Sequence, residues 1–403
     1  MRIIDKLFDQ VETAETVIRT REKKNKLTFL KREKAYHGNY QHYCKSVMLR
    51  ILLLPAAMIM HIALLLRHLM FDWGLIKSKA FDLPVICVGN LSMGGTGKTP
   101  QVEYLVRLLQ KNYRLATLSR GYLRKTKGFL LARAGHTYRD IGDEPCQYLS
   151  KFPEIYVAVD EKRKNGIEQL LKLSPAPEVI LLDDAFQHRY VRPGLNILLT
   201  DYHNLYPNDF LFPAGKLRDI KAAARRAEVI VVTKTPKIFS PFTRRRLKEI
   251  LRPRKNQELF FSYLSYGTLK PVVDNPKRYF PKTITTILMF CGIANPYPFE
   301  EYLRDKCTDL IVHDFPDHHD FSEKDINEIV KQFNDILGKN KILVTTEKDA
   351  MRLIDSPYFS KLETLPLFYV SVEAKFHDEH GRSFDEYILE YVKKNTGNSR
   401  IHP

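Results

Sequence analysis

The sequence predicts an α/β protein, with a mostly parallel sheet covered by helices on both faces, and three observations support this. A glycine-rich loop joins a short apolar run to a helical pattern near residue 90. Apolar runs typical of buried strands alternate with helical patterns, which favours parallel βαβ units. The runs end in polar residues, and ligands bind beyond the carboxyl ends of such strands. The predicted strands of the first half are 85–88, 115–118, 155–159, 179–182, 197–199 and 229–232.

The glycine-rich loop has the context that a phosphate-binding loop, or P-loop, requires. The apolar run Val85–Val88 precedes it, and Pro100 and apolar residues at helical spacing follow it. Lys98 can reach the β- and γ-phosphates, and the Thr99 hydroxyl can ligate Mg²⁺. Ser92 stands where the motif usually begins with glycine, and a glycine turn without a ligand is the alternative. We predict that ATP binds to these residues: Ser92, Met93, Gly94, Gly95, Thr96, Gly97, Lys98 and Thr99.

A second nucleotide motif follows the predicted strand at 179–182. Asp183 and Asp184 come directly after this apolar run, where P-loop proteins place a carboxylate that holds Mg²⁺. Buried strands often end in Asp, so the motif is informative only together with the P-loop. With Thr99, and with Glu144 as a possible further ligand, these residues form the predicted metal site.

Other residues in the first half have the chemistry of a phosphate-handling cleft. Asp143 and Glu144 are adjacent carboxylates before a proline, and a plain acidic turn is the explanation that the residues alone favour. Arg120, Arg163 and Arg218 lie near predicted strand ends or in loops, and such a cleft needs several cations. In the second half, the loop at 313–321 is rich in His and Asp. Catalysis or substrate contact, a structural role and metal ligation all remain open for this loop.

Composition limits the possible partners. The chain has 403 residues and a net charge of +17, which indicates an anionic partner such as nucleic acid, anionic lipid or a phosphorylated substrate. The five cysteines show no metal-ligand spacing, as expected in a reducing compartment. A nucleic-acid partner is not predicted, because no recognition module is present.

The order of segments predicts five regions. A basic N-terminal extension covers 1–46, and a membrane-associated helix covers 47–80 with its apolar run at 47–66. Arg50, Pro55 and His61 interrupt this run, so a helix lying at the membrane surface is favoured over one that spans it. A P-loop domain at 81–236, a basic linker at 237–255 and a smaller α/β domain at 256–403 follow. Predicted strands of the last domain are 284–290, 310–312, 342–344 and 367–372.

Together these motifs resemble one family, the tetraacyldisaccharide 4'-kinases of Gram-negative bacteria. Its Ser in place of the first P-loop glycine matches Ser92, whereas Ala185 and Lys216 depart from the commoner family residues. The matching stretches are VGNLSMGGTGKTP (88–100), LSRGY (118–122), GDEP (142–145), LDDAFQHR (182–189), FPAGKLRD (212–219), VVTK (231–234), CGIANP (291–296), FPDHHDF (315–321) and TTEKDA (345–350).

The resemblance implies transfer of the γ-phosphate of MgATP to the 4'-hydroxyl of a tetraacyldisaccharide 1-phosphate, forming lipid IVA in lipid A biosynthesis. It implies the cytoplasmic face of the inner membrane, an anionic glycolipid substrate and no obligate protein partner. Asp143 is then expected to act as the general base, paired with His318 or, as runner-up, His319. The predicted acceptor-binding residues are Arg120, Arg163, Gln187, His188 and Arg218.

Two other classes share parts of this pattern. Membrane-associated ParA/MinD-like ATPases carry GGTGKT, but their loop has a characteristic lysine where this chain has Met93. A nucleic-acid-binding P-loop protein would explain the positive charge. Stimulation of ATP turnover by a glycolipid acceptor, and not by DNA or RNA, distinguishes the kinase from both.

Overall fold

The structure is a computed structural model that describes residues 50–273, 281, 283–293, 295–317, 319–377 and 382–398. The predicted basic extension at 1–46 and the predicted catalytic His318 therefore lie outside the described residues. By its internal contacts the chain divides into two units. The described part of the small unit is 50–60 and 210–215, and the rest forms the large unit.

Ten helices and twelve strands have the following bounds in the described residues. The helices are α1 Arg50–Asp72, α2 Lys98–Leu109, α3 Tyr138–Ile141, α4 Asp143–Lys151, α5 Arg163–Leu170, α6 Pro241–Leu251, α7 Tyr297–Arg304, α8 Glu323–Asp335, α9 Glu347–Ile354 and α10 Phe384–Asn398. The strands are β1 Val85–Asn90, β2 Leu115–Ser119, β3 Leu130–Leu131, β4 Tyr156–Val159, β5 Val179–Asp183, β6 Leu195–Asp201, β7 Val229–Thr233, β8 Glu258–Pro271, β9 Thr286–Cys291, β10 Asp309–Asp314, β11 Lys341–Thr346 and β12 Leu367–Phe376.

The strands form one twelve-stranded sheet in the order β10-β9-β11-β12-β8-β7-β6-β1-β5-β2-β4-β3. Every strand predicted from an apolar run is present, and the mostly parallel α/β class is confirmed. Neighbouring strands from β8 to β4 pair in parallel, as do β12, β11, β9 and β10. The short β3 is an antiparallel edge strand.

The long strand β8 joins the two halves of this sheet and was not predicted from the sequence. Its first residues pair in parallel with β7, and its later residues pair antiparallel with β12. The antiparallel pair reverses the strand direction. Since β8 runs past the end of β7, the carboxyl ends of the strands in the two halves face each other. The predicted division into two α/β domains stays a prediction, while the predicted linker contains the helix α6.

The hydrophobic core of the first half is covered on one face by helices from both ends of the chain. Val102, Leu105 and Val106 of α2 pack there on Ile86 and Val88 of β1. The last helix, α10, returns from the second half and adds its own buried residues, Phe384, Ile388 and Val392. Burying each such side chain contributes about 1.5–3 kcal/mol, so α10 fixes the chain terminus onto the P-loop half.

The helix α1 is long and apolar enough to cross a membrane, and it is the one such helix within the described residues. In the small unit its large apolar side chains are exposed; examples are Leu52, Met58 and Ile59. The residues of α1 from His61 onward belong to the large unit. There the buried His68 imidazole lies 2.6 Å from the Asp219 carboxylate. This contact fixes the second part of the helix within the large unit.

Candidate active site

The P-loop lies between β1 and α2, as predicted, and its backbone is fixed by neighbouring strands. Gly97, the N-cap of α2, has φ +80°, a left-handed conformation that favours glycine. The Asn90 amide donates to the Thr96 hydroxyl at 2.6 Å. Thr233, at the end of β7, donates to the Thr96 carbonyl at 2.8 Å. These bonds hold the loop in an anion-binding shape before any ligand arrives.

The segment 216–218, from the FPAGKLRD motif, pairs with the beginning of the P-loop. The Met93 N–H donates to the Lys216 carbonyl at 2.7 Å, and the Arg218 N–H donates to the Leu91 carbonyl at 2.8 Å. This pairing brings the Arg218 guanidinium to the Asp184 carboxylate, with Nη1 2.9 Å from Oδ2. The FPAGKLRD segment and the strand-end Asp184 are distant in sequence, yet they contact each other beside the P-loop.

Asp183 and Asp184 end β5 but have opposite electrostatic environments. Burial, together with the charges of Glu144 and Asp184, raises the pKa of Asp183 to about 7. Burial also acts to raise the pKa of Asp184, yet the Arg218 hydrogen bond and the Lys98 charge lower it to about 2. Asp184 also has φ +51°, a strained conformation typical of functional sites.

The carboxylates fit the predicted Mg²⁺. Asp183 Oδ2 accepts from the Tyr148 hydroxyl at 2.9 Å, whereas its buried Oδ1 has no hydrogen-bond partner among the described residues. No three His, Cys, Asp or Glu residues in that part of the chain are close enough to form a metal site alone. This agrees with Mg²⁺, which is commonly held by one or two carboxylates, substrate phosphates and water.

A group of cationic and polar side chains lies beside these carboxylates. The buried Arg163 guanidinium donates from Nη1 to the Asp160 carbonyl, while its Nε and Nη2 have no partner among the residues described. Burial lowers the pKa of Arg163 to about 10, against the charges of the nearby aspartates. Burial and the charges of Arg163 and Arg120 lower the pKa of His188 to about 4, so His188 is neutral at pH 7. The Gln187 amide donates to the Asn90 carbonyl.

Asp143 begins α4, where the Gly142 φ of +93° turns the chain into the helix. Its buried carboxylate accepts two hydrogen bonds from Arg352 of α9, with Nε 3.0 Å from Oδ1. Lys348 Nζ lies 3.9 Å from the same carboxylate. Asp143 is therefore held by the second half of the sheet, which the sequence did not reveal.

The runner-up histidine has a different partner. His319 Nε2 lies 3.0 Å from Asp325 Oδ2, and its ring stacks on Phe315. The His319 carbonyl accepts from Arg352 at 3.4 Å, which brings this loop to the residue that holds Asp143. The choice of His318 as the partner of Asp143 stays a prediction.

One cleft of about 760 Å³ collects almost the whole predicted site. Among the predicted site residues that the structure describes, only Asp143 does not line it. The facing strand ends of the second half contribute Thr346, Glu347 and Lys348. The second half also contributes an apolar wall to the cleft, which includes Tyr266 of β8 and Phe299 of α7. Nothing in the sequence pattern distinguishes these two aromatic residues from ordinary core residues.

Lys234, a polar residue at the end of a predicted strand, lies at the cleft but was not among the predicted binding residues. It follows β7 with φ +57°, lines the cleft, and donates to the Gly95 carbonyl and to Asp201 at 2.7 Å. Its position after an apolar strand was the available signal. A lysine at the end of a strand is usually a surface charge, however, and this signal alone was too weak.

A P-loop and a strand-end carboxylate pair on one cleft define the class as a nucleotide-binding protein of the phosphoryl-transfer type. The chain belongs to the Tetraacyldisaccharide-1-P 4'-kinase family, whose model matches residues 49–393.

Individual relatives agree over almost their full length. The Tetraacyldisaccharide 4'-kinase of Bacteroides thetaiotaomicron is 45% identical over 359 residues, which cover 86% of this chain and 94% of that protein. The Flavobacterium johnsoniae protein of the same name is 44% identical over 348 residues, covering 86% and 98%. The crystal structure of the "apo" form of LpxK from Aquifex aeolicus in complex with ATP matches with a TM-score of 0.64 and 29% identity. It covers 86% of this chain and 99% of that one.

Proposed function

We propose that this protein transfers the γ-phosphate of ATP to the 4'-hydroxyl of a tetraacyldisaccharide 1-phosphate, forming lipid IVA, at the cytoplasmic face of the bacterial inner membrane. The supporting observation is the cleft itself, which combines the P-loop, the paired carboxylates and several cationic side chains, among them the buried Arg163. The family and the names of its relatives point to the same reaction.

The nucleotide lies with its triphosphate on the P-loop and the N-terminus of α2. Backbone N–H groups and the helix dipole bind the phosphates there, and Lys98 reaches the β- and γ-phosphates. The base lies on the apolar wall of the cleft, which includes the Tyr266 ring. The ATP complex of the related structure supports ATP as the donor.

Thr99, Asp183, Asp184 and Glu144 are the residues that would hold Mg²⁺. When bound, this ion neutralises charge on the transferring phosphate. Asp183 contributes its Oδ1, which has no hydrogen-bond partner among the described residues. Burial, together with the charges of Glu144 and Asp184, raises the pKa of this carboxylate to about 7, against the lowering effect of Lys98. Lys98 and Arg218 already neutralise Asp184, so the triphosphate competes with Asp184 for these cations.

The acceptor binds on the cationic side of the cleft. The buried Arg163 presents two donor nitrogens that have no partner in the described part of the chain. The exposed Arg120 and the neutral His188 line the same cleft. Gln187 and Arg218 complete the set. Hydrogen-bond donors aimed at developing negative charge in a buried site stabilise a transition state strongly, so these residues also orient the acceptor toward the γ-phosphate.

A sugar hydroxyl needs a base, and Asp143 with His318 is the pair we propose. In the described residues the Asp143 carboxylate is bound by Arg352. Asp143 would accept the proton of the sugar hydroxyl, and His318 paired to it would orient the carboxylate and share the proton, while Arg352 also orients the carboxylate. Lys348 and Glu144 form a second contact between the same two helices, at 3.2 Å, which keeps α4 and α9 in register.

Membrane association follows from the exposed apolar side chains of α1 and from the lipid nature of the acceptor. A helix with this composition lies at, or dips into, the bilayer and brings the cleft to its substrate. Basic residues elsewhere on the chain favour the anionic cytoplasmic leaflet.

The decisive experiment measures transfer of ³²P from labelled ATP to a disaccharide 1-phosphate lipid by the purified protein. We expect a product with one additional phosphate, and dependence on Mg²⁺. ATP hydrolysis without a labelled lipid product, or hydrolysis stimulated by DNA or RNA, would contradict the proposed reaction.

A further inference from the structure

The loop between β7 and α6 exposes two large apolar side chains beside basic residues. Ile238 is 95% exposed and Phe242 is 77% exposed. Residues 236–255 carry eight Lys or Arg and one Glu, a net charge of +7. Exposed apolar side chains occur singly on many proteins, but a pair of them flanked by cations is typical of a membrane-binding surface.

The geometry of α6 places apolar and basic side chains on one face. Phe242, Arg245 and Arg246 are spaced i, i+3 and i+4, so they lie together, whereas Leu247 and Leu251 are buried. Arg245 and Arg246 are exposed, and Arg245 pairs only with Glu249 of the same helix, at 3.1 Å, among the contacts described for it. Long basic side chains around an apolar residue can reach lipid headgroups while it inserts.

The loop is well fixed, so the exposure of Ile238 does not come from a loosely held segment. Thr235 donates both its backbone N–H and its hydroxyl to the Ser262 carbonyl of β8, each at 3.0 Å. Phe239, next to Ile238, packs on Phe261 with ring centroids 5.0 Å apart and stacks on His377. Neighbouring side chains therefore point inward and leave Ile238 pointing to solvent.

The anchor of α1 lies on a defined face of the sheet. His68 contacts Asp219, and Arg226 lies 3.4 Å from Asp219 and 4.4 Å from the centre of the Phe186 ring. Phe186 packs directly on Gly89, where an added Cβ would be 2.6 Å from the Phe186 Cβ. The end of α1 in the large unit is thus bound to the face on which Gly89 lies.

The loop before α6 lies on this same face. Residues paired in register on adjacent strands point to one side, and these four form one row: Gly89, Leu198, Ile230 and Leu259. Phe261 is two residues beyond Leu259 and therefore points to the same side, where it contacts Phe239. The loop also follows the carboxyl end of β7, the sheet edge that carries the P-loop.

We propose that Ile238, Phe242, Arg245 and Arg246 form a second membrane-binding surface, which inserts its apolar pair among anionic lipids beside the mouth of the cleft. The occupant is a bilayer, because the surface is basic, apolar at its centre, and on the same face and edge as the anchor of α1. Membrane contact through this surface as well as through α1 would fix the orientation of the cleft toward the bilayer. Contact through α1 alone would leave the protein free to rotate about that helix.

Tryptophan fluorescence of the full chain tests insertion without requiring catalysis. The chain has one tryptophan, Trp73, so a Trp73→Phe background allows single reporters. In phosphatidylcholine–phosphatidylglycerol vesicles, we expect the fluorescence emission of Ile238→Trp to shift to shorter wavelength. We also expect brominated lipids to quench this emission. Leu337→Trp is the matched control, because Leu337 is 94% exposed and precedes the amino end of β11, in the second half of the sheet.

Flotation with the same vesicles tests the basic residues. Two Lys or Arg near an anionic surface each contribute about 1 kcal/mol, so Arg245→Glu/Arg246→Glu should lower the vesicle partition coefficient by about tenfold or more. The control Arg254→Glu/Lys255→Glu has the same charge change at the opposite end of α6 and should bind nearly normally. Ile238→Ser/Phe242→Ser should weaken binding even at high salt.

The opposite results would overturn this surface. An unquenched Ile238→Trp on protein that is bound to vesicles, or equal quenching of Leu337→Trp, contradicts insertion. An equal loss of vesicle binding in both charge-reversal variants shows that only net charge matters. If Arg245→Glu/Arg246→Glu loses RNA binding but keeps vesicle binding, the surface binds nucleic acid instead. Because ³²P transfer is not part of this measurement, failure here leaves the proposed reaction standing.

Discussion

The two halves of the sheet meet at the cleft with their strand ends, but the strand ends differ in how completely their charges are paired. In the P-loop half, buried polar atoms of Asp183 and Arg163 have no partner among the described residues. In the second half, buried Asp349 is held by Thr346, Gly292 and Arg352. The comparison indicates that the first half keeps groups available for ligands, whereas the second half supplies paired charges that fix the two halves together.

The largest expected effect is in the nucleotide site of the first half. We expect Lys98→Ala and Asp184→Asn each to abolish ³²P transfer to the glycolipid, because the transition state depends on neutralising γ-phosphate charge. Circular dichroism checks that both variants fold. Near-normal turnover in either variant would show that the nucleotide site is assigned wrongly.

The next effect concerns the base, which depends on both halves. We expect Asp143→Ala and His318→Ala each to lower kcat by about 10²–10⁴, with little change in the KM for ATP. The double variant should be scarcely slower than either single variant, since the pair acts as a unit. Fully multiplicative losses, or normal kcat in His318→Ala, would end the proposal; His319→Ala is the matched control.

Arg352 distinguishes the roles of the two halves by stability. We expect Arg352→Met to lower the free energy of unfolding by about 3–5 kcal/mol, because it leaves the buried Asp143 and Asp349 without their shared cation. Lys98→Met, in the half whose charges await a ligand, should change stability far less. Urea denaturation of the nucleotide-free protein measures both, and equal losses would remove the distinction.

Substitutions of Asp183 and of Asp184 are expected to change the free energy of unfolding less, and in opposite directions. The pKa of Asp183 is raised to about 7. Between roughly pH 4 and 7 the folded state therefore keeps a proton that the unfolded state has lost, and stability falls as pH rises. Asp183→Asn should remove this penalty, raising stability at pH 8 by at most roughly 4 kcal/mol and much less near pH 4.

Asp184 is the control for this prediction. Its pKa is lowered to about 2, so its ionised form stabilises the folded state above the unfolded pKa near 4, and that stability is lost as pH falls toward 2. Asp184→Asn should therefore destabilise the protein at pH 8. Thermal melts at both pH values measure the pair, and a shift of the same sign in both variants would contradict the assignment.

The smallest effect on chemistry is expected from the membrane helix. Deleting residues 1–60 removes the first turns of α1, which expose Leu52, Met58 and Ile59, but keeps His68 and its contact with Asp219. We expect less protein in the membrane fraction and unchanged ATP binding. A longer deletion through Asp72 is the informative comparison, because it also removes His68 and Phe71, which are buried, and should lower stability.

The sequence by itself predicted the fold class, the P-loop, the carboxylate pair and the positions of ten strands along the chain. Each of these depends on local patterns of apolar residues, glycines and strand ends. Only the tertiary structure decided where the second half meets the first. The strand β8 lacked the compact apolar run of a buried strand, and its antiparallel pairing with β12 turns the strand ends of both halves toward one cleft. The partners of Asp143, Asp184 and Asp219 follow from that arrangement, since Arg352, Arg218 and His68 are 209, 34 and 151 residues away in the chain. Sequence patterns report periodicity over a few turns of chain, whereas ion pairs over such separations depend on how the elements pack.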